Sequence, residues 1–295
     1  MPFGEASREQ RLSIREFCLL AVDLILITND VPRASIAQEV GVDYLMVDLE
    51  INGKVARQGH LGTVISRHTM EDVRRIRGVL KTSRLLVRVN PLFGGSEAEI
   101  DQCIALGADA VMLPMFTRTS EVERFVGLVR GRAQAWLLLE TPQAMVRADQ
   151  IAQCSGIDAV HIGLNDLHLG MGLDFMFELL AHGTVDWLAA RLKDRGVKFG
   201  FGGVARLKGG AVDAALILSE HVRLKSQQVI LSRDFQRMQE GPADATQGTF
   251  STEVGLIRKE IARLKLCTED ELLRNRSDLQ RLVMQFVVAS QAARS

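Results

Sequence analysis

The chain has 295 residues, 47% of them apolar and 24% charged, with Lys plus Arg equal to Asp plus Glu. That balance suits one large α/β domain or two smaller ones. It leaves no electrostatic footprint for nucleic acid or an anionic membrane surface. Aromatic residues make up only 5%, too few for a base-stacking platform.

Cys18, Cys103, Cys154 and Cys267 lie far apart, with no CxxC pair and no zinc-ligand spacing. This usage points to a reduced, cytoplasmic compartment. The longest apolar run, 17–28, is too short to span a membrane and contains Asp23. A polar, charged start precedes it, as in a cleaved signal peptide. The run ends in Thr-Asn-Asp-x-Pro, a helix-start signal, and lacks a small-residue cleavage site, so it reads as a first strand.

Residues 1–17 read as an N-terminal extension. Strands are expected at 24–28, 44–50, 85–90, 110–115, 135–140, 159–165, 198–201 and 228–232, each a short apolar run. Helical segments alternate with them. The helix at 69–80 carries Thr69 as N-cap and Asp72 as its capping-box partner. Pro142 sits where a first helical turn favours proline. Strand–helix alternation repeated eight times over roughly 220 residues predicts an α/β fold, a (β/α)8 TIM barrel over 18–240 that carries any catalytic site. An open doubly wound sheet is the alternative, but no GxGxxG follows the first strand and no GxxxxGK[ST] occurs. Residues 241–248 read as a turn-rich linker. Two additional C-terminal helices follow within 241–295, and they pack either on their own barrel or on a neighbouring subunit.

Chemistry in a parallel barrel sits at the C-terminal ends of the strands. Two consecutive apolar runs end there in Glu140 and Asp166. Carboxylates side by side repel, and a divalent cation is the simplest reason to place them together. The plainer alternative is that each caps the helix after it. Arg88 interrupts an apolar strand and must find an anion. That anion is either Asp48 or Glu50 beside it, or a substrate carboxylate or enolate. His60 and His68 lie in the long loop after the second strand, where either could reach over the site as a general base. His168 is a weaker candidate for that role, and His161, in mid-strand, reads as a core histidine. Gly202 and Gly203, expected in a loop after the seventh strand, could offer backbone N–H groups to an anion; a tight turn that requires glycine is the plainer reading. No lysine falls at the C-terminal end of an expected strand, so carbanion chemistry here would need a metal rather than a Schiff base.

LLVRVNP, LLLETPQA and IGLNDLHLGMG, in that order and spacing, together with VDLE after the second strand, resemble the HpcH/HpaI aldolase and citrate lyase β-subunit family. The resemblance runs over about 24–235. It implies a (β/α)8 barrel with a C-terminal helix exchanged between subunits, in homo-oligomers that are dimers or trimers of dimers. It also implies Glu140 and Asp166 as ligands of Mg²⁺ or Mn²⁺, Arg88 as the residue that binds a pyruvyl group, Glu50 as the matching acidic residue, and Asn165 before the metal aspartate. Aldolases of the family carry histidine directly after the acidic motif, and citrate lyase β-like members carry aspartate. Here that residue is Ile51, and the Gly-His-Leu-Gly loop offers His60 as a replacement base.

The activity this implies is metal-dependent carbon–carbon lysis of the class II aldolase type. A 4-hydroxy-2-keto acid is cleaved or formed through a pyruvate enolate, with a 2-keto acid and an aldehyde as small-molecule partners. A citrate lyase β-like 3-hydroxyacyl-thioester lyase and a carboxylate- or partner-binding barrel without turnover are the alternatives; Ile51 favours the last.

Overall fold

The computed structural model describes residues 22–51, 68–207, 212–238 and 249–292. Alternation along the strands sorts their apolar side chains into two sets. One set, including Leu24, Leu26, Leu45, Val47, Leu85 and Val87, faces outward into the layer beneath the helices. The other, including Ile25, Met46, Leu86, Met112, Trp136 and Leu138, fills the inside of the sheet. Runs apolar on both faces need cover on both, which here comes from helices outside and from closure of the sheet upon itself.

Eight parallel strands form that closed barrel in chain order. They are β1 (Asp23–Ile27), β2 (Tyr44–Asp48), β3 (Arg84–Arg88), β4 (Ala110–Leu113), β5 (Gln134–Leu139), β6 (Ala159–Ile162), β7 (Lys198–Val204) and β8 (Gln228–Leu231). Closure comes from β1 against β8, with Leu24 opposite Val229. The connecting helices are α1 (Val31–Glu39), α2 (Met70–Val79), α3 (Ser96–Ala105), α4 (Thr119–Val129), α5 (Pro142–Val146), α6 (Ala148–Ile151), α7 (Leu164–Gly170), α8 (Glu178–Ala181), α9 (Thr184–Asp194), α10 (Ala214–Leu224) and α11 (Arg233–Arg237). The expected capping box forms: Thr69 Oγ1 accepts from the Asp72 N–H, and Asp72 accepts from the Thr69 N–H.

Two strand ends differ from expectation, and both differences bear on the site. β6 stops at Ile162, three residues before the expected end at 165. A side chain at Gly163 would put its Cβ 2.8 Å from the Glu140 Cβ, so the backbone turns there under the Glu140 side chain. Asn165 and Asp166 therefore lie in the first turn of α7 and not on the strand. β7 runs on to Val204, so Gly202 and Gly203 belong to the strand rather than to an anion-binding loop. A register shift between Gly200 and Gly203 marks a bulge against β8. At Gly200 a Cβ would stand 2.2 Å from the Gln228 carbonyl oxygen, so only glycine fits.

After residue 248, α12 (Phe250–Leu264) and α13 (Glu269–Ala292) return to the barrel wall. α13 packs on its own chain: Leu279 and Val283 are fully buried, Phe286 stacks on Phe175 at 4.1 Å, and Asn275 donates to Ser219 at 3.0 Å. Among the described residues no helix is long and apolar enough to cross a membrane.

Candidate active site

The inward alternation that gives Met46, Leu86 and Leu138 continues to Asp48, Arg88 and Glu140 at the C-terminal mouth. Polar side chains thus succeed an apolar barrel interior at one level. Arg88 meets Asp48 in a two-pronged pair, Nε to Oδ1 at 2.8 Å and Nη2 to Oδ2 at 2.7 Å. Its Nη1 lies 3.4 Å from Glu50 Oε2. The ion-pair reading of Arg88 therefore holds, yet Arg88 also lines the mouth pocket. Burial works against its charge, and Asp48, Glu50 and Glu140 more than offset that, so the guanidinium stays charged.

Glu140 is 3% exposed and accepts from the Met115 N–H at 3.1 Å. Met115 reaches this position with φ of 55°, a left-handed backbone that a non-glycine side chain adopts at a cost. Burial pushes the Glu140 carboxyl up to about 8; Arg88 opposes this, and Glu50 and Asp166 add to it. Four carboxylates, Asp48, Glu50, Glu140 and Asp166, thus crowd one mouth against Arg88 and the exposed Arg233. Such crowding of carboxylates is costly until a proton or a cation relieves it.

Glu140 and Asp166 line one pocket of about 270 Å³ together with Arg88, Asn165, Gly202 and Gly203. Six of the seven described site residues thus come together around one cavity. Their donor set is hard carboxylate oxygen, which fits Mg²⁺ or Mn²⁺ held by two carboxylates with waters and substrate oxygens. Among the described residues no group of three or more His, Cys, Asp or Glu side chains is placed to hold a metal.

Glu50 is the one described site residue outside the pocket lining. It is 2% exposed beside Arg88. His60 lies outside the described residues. Ile51, where a base would follow the acidic motif, is 54% exposed, and its N–H donates to Asn90 Oδ1 at 3.0 Å. His68 does not reach over the site: its Nδ1 accepts from the Asp48 N–H at 3.0 Å. His168 is bound within α7 to the Leu164 carbonyl at 3.2 Å.

His161 is more than a core histidine, because it lines the pocket floor while 1% exposed. Its Nε2 pairs with the Gly202 carbonyl at 3.0 Å, so that nitrogen carries the proton. Burial holds its pKa down to about 4, and it stays neutral at physiological pH. Sequence reasoning also missed Met115. Its only signal is its place directly after Pro114 at the end of β4.

The sequence profile of the HpcH/HpaI aldolase/citrate lyase family matches residues 26–178, about half of the chain. Among curated proteins, none matches the chain in sequence. Among solved structures, the HpcH/HpaI aldolase from Desulfitobacterium hafniense DCB-2 superposes with a TM-score of 0.59 at 16% identity, covering 86% of this chain and 97% of that one. Protein CitE from Mycobacterium tuberculosis, in complex with magnesium and pyruvate, gives 0.57 at 15% identity, covering 89% and 98%. An aldolase/citrate lyase family protein from Burkholderia cenocepacia J2315 gives 0.56 at 14% identity, covering 86% and 99%. At these identities the likeness is one of fold, and the profile match is what assigns membership. With a closed (β/α)8 barrel and its carboxylate-rich mouth, the chain belongs to the HpcH/HpaI aldolase/citrate lyase family.

Proposed function

We infer that the protein is a metal-dependent carbon–carbon lyase that cleaves or forms a 4-hydroxy-2-keto acid through a pyruvate enolate. The observation that carries this reading is Glu140, buried beside Asp166 and Glu50 with its carboxyl pushed up to about 8. The magnesium and pyruvate bound by the M. tuberculosis protein support the same reading.

Glu140 and Asp166 would hold Mg²⁺ or Mn²⁺. When bound, the cation would supply a Lewis acid for the carboxylate and keto oxygens of the 2-keto acid. Arg88 is held still by Asp48 and Glu50, and these contacts leave two of its five N–H groups for substrate. Its fixed charge faces the oxygen on which negative charge grows as the bond between C3 and C4 breaks. Asn165, in the first turn of α7, and the Gly202–Gly203 stretch of β7 border the same pocket and would shape the substrate's place. His60 is the proposed base for the C4 hydroxyl proton. Cleavage then leaves an aldehyde, and protonation of the enolate at C3 gives pyruvate.

The test is proton exchange. Pyruvate is incubated with the protein in D₂O, with and without Mg²⁺ or Mn²⁺, and the methyl signal is followed by NMR. Metal-dependent loss of that signal, abolished in Glu140→Ala, is the expected result. Absence of exchange with either metal in folded protein overturns the reading and favours a barrel that binds without turnover, the outcome to which the exposed Ile51 points.

A further inference from the structure

The opposite end of the barrel holds a larger cavity, of about 680 Å³. That volume lies in the range of small-molecule sites, roughly 300–1,000 Å³. It is lined by the opening residues of β1, β2, β3, β5, β6, β7 and β8, so it is the floor of the barrel and shares no residue with the C-terminal mouth. A (β/α)8 floor needs only to be packed. This one is hollow and charged.

Its chemistry is the inverse of the mouth. Three cations, Arg84, Lys193 and Lys198, face two carboxylates, Asp23 and Asp158. Asp158 is already engaged, accepting from the Ala135 N–H at 2.8 Å. Arg84 gives one N–H to the Tyr44 hydroxyl at 2.8 Å and keeps the rest of its fork. The Gln134 carbonyl oxygen accepts from Trp136 Nε1 at 3.0 Å and from the Tyr44 hydroxyl at 3.4 Å, which leaves its NH₂ end as a donor. Three cations thus stand against two carboxylates around the cavity, with Asp23 in the field of Arg84 and Lys198. Gln228, 1% exposed, closes the inner wall, its side chain against His161.

We propose that the N-terminal mouth of the barrel is a second binding site, one that takes a compact oxyanion, a carboxylate or a phosphate, between Arg84 and Lys198. A guanidinium fork beside a lysine suits either anion. The aromatic pair Tyr44 and Trp136, 4.9 Å apart and 2% exposed each, gives the site a rigid inner wall. The proposal does not depend on the lyase reading, because none of the residues at the other mouth takes part.

The wall also supplies the readout. The chain has two tryptophans, and Trp187 lies on the surface of α9. Trp187→Phe leaves Trp136 as the sole reporter, next to the cavity and remote from the mouth. Full-length W187F protein is titrated with malonate and, separately, with inorganic phosphate, by Trp136 emission and by calorimetry. The expected result is a saturable change whose affinity falls at least tenfold in Arg84→Ala and in Lys198→Ala. Both side chains are exposed, and circular dichroism checks that the variants stay folded. Saturation by malonate alone identifies the occupant as an organic acid; saturation by both identifies any compact oxyanion. Absence of saturation with both anions, or affinities that both substitutions leave unchanged, overturns the proposal.

Discussion

Arg84 and Arg88 open and close the same strand, face the same side of it, and lead opposite lives. Arg88 is half-buried among three carboxylates, and its charge is held in place by two of them. Arg84 is exposed, leans over Tyr44 and shares its cavity with two lysines. Between them the barrel interior is apolar, from Ile25 and Met46 to Leu86 and Met112. The difference shows how one period-two pattern builds two unlike ends. The middle positions close the barrel, and the terminal positions set the sign of the charge that each mouth can receive.

The largest effect should come from Glu140. Glu140→Ala is expected to cut metal-dependent pyruvate exchange at least about a thousandfold, since it removes a ligand of the proposed Lewis acid. Exchange rates by NMR measure it, and an unchanged rate would move the metal away from this mouth. Next come the two arginines. Arg88→Met strands the Asp48 and Glu50 charges in the interior and should destabilise the fold by about 3–5 kcal/mol. Arg84→Met, at an exposed side chain that donates to the Tyr44 hydroxyl, should cost about 1 kcal/mol. Urea unfolding of the two variants compares the ends directly, and equal losses would erase the distinction.

The two ends also titrate differently. Glu140, pushed up to about 8, is protonated at neutral pH before metal arrives. Metal binding must displace that proton. Apparent affinity should therefore rise about tenfold per pH unit below 8 and level off above it. Calorimetry at pH 6.5 and 8.5 in buffers of different ionisation enthalpy reads both the affinity and the released proton. At the floor, burial and Asp43 push Asp23 up to about 6 from 3.8. The folded state then holds its proton more tightly than the unfolded one. Stability contributed by that proton falls as pH rises from 3.8 to 6 and is flat above. Asp23→Asn should thus stabilise the protein at pH 7.5 by about 1–2 kcal/mol, discounted for partial exposure. The gain should vanish near pH 4, and thermal melts at the two pH values check the sign.

Most of the barrel was legible because alternation and strand length are local properties. Each of the eight expected strands overlaps an observed one, and Thr69 with Asp72 caps α2 as read. Glu140, Asp166 and Arg88 were legible as charges at the ends of apolar runs, and the pocket gathers them. What escaped depends on neighbours distant in sequence. Residue 163 is glycine because a Cβ there would meet that of Glu140, and Gly200 is forced by a carbonyl on β8. His161 looked like filler because nothing in its own strand says that Gly202 will accept from one nitrogen while the ring lines the pocket floor. The floor cavity was invisible for the same reason: its charges open strands spread from Asp23 to Gln228, and only closure assembles them.

Closure has a consequence for how the chain is made. β1 finds its second neighbour only in β8, and Arg258 on α12 donates to the carbonyls of Val22 and Gly41 and pairs with Asp43. The beginning of the barrel is thus fastened by a residue more than two hundred positions later. At ribosomal speeds of about 5–20 residues per second, the first strand waits at least roughly ten seconds for that clasp. During the wait one edge of β1 offers unpaired backbone to any passing strand. Synthesis of this protein therefore includes an interval in which a nascent chain is half a barrel with an open seam, and a chaperone that shields β1 would act before Arg258 leaves the ribosome.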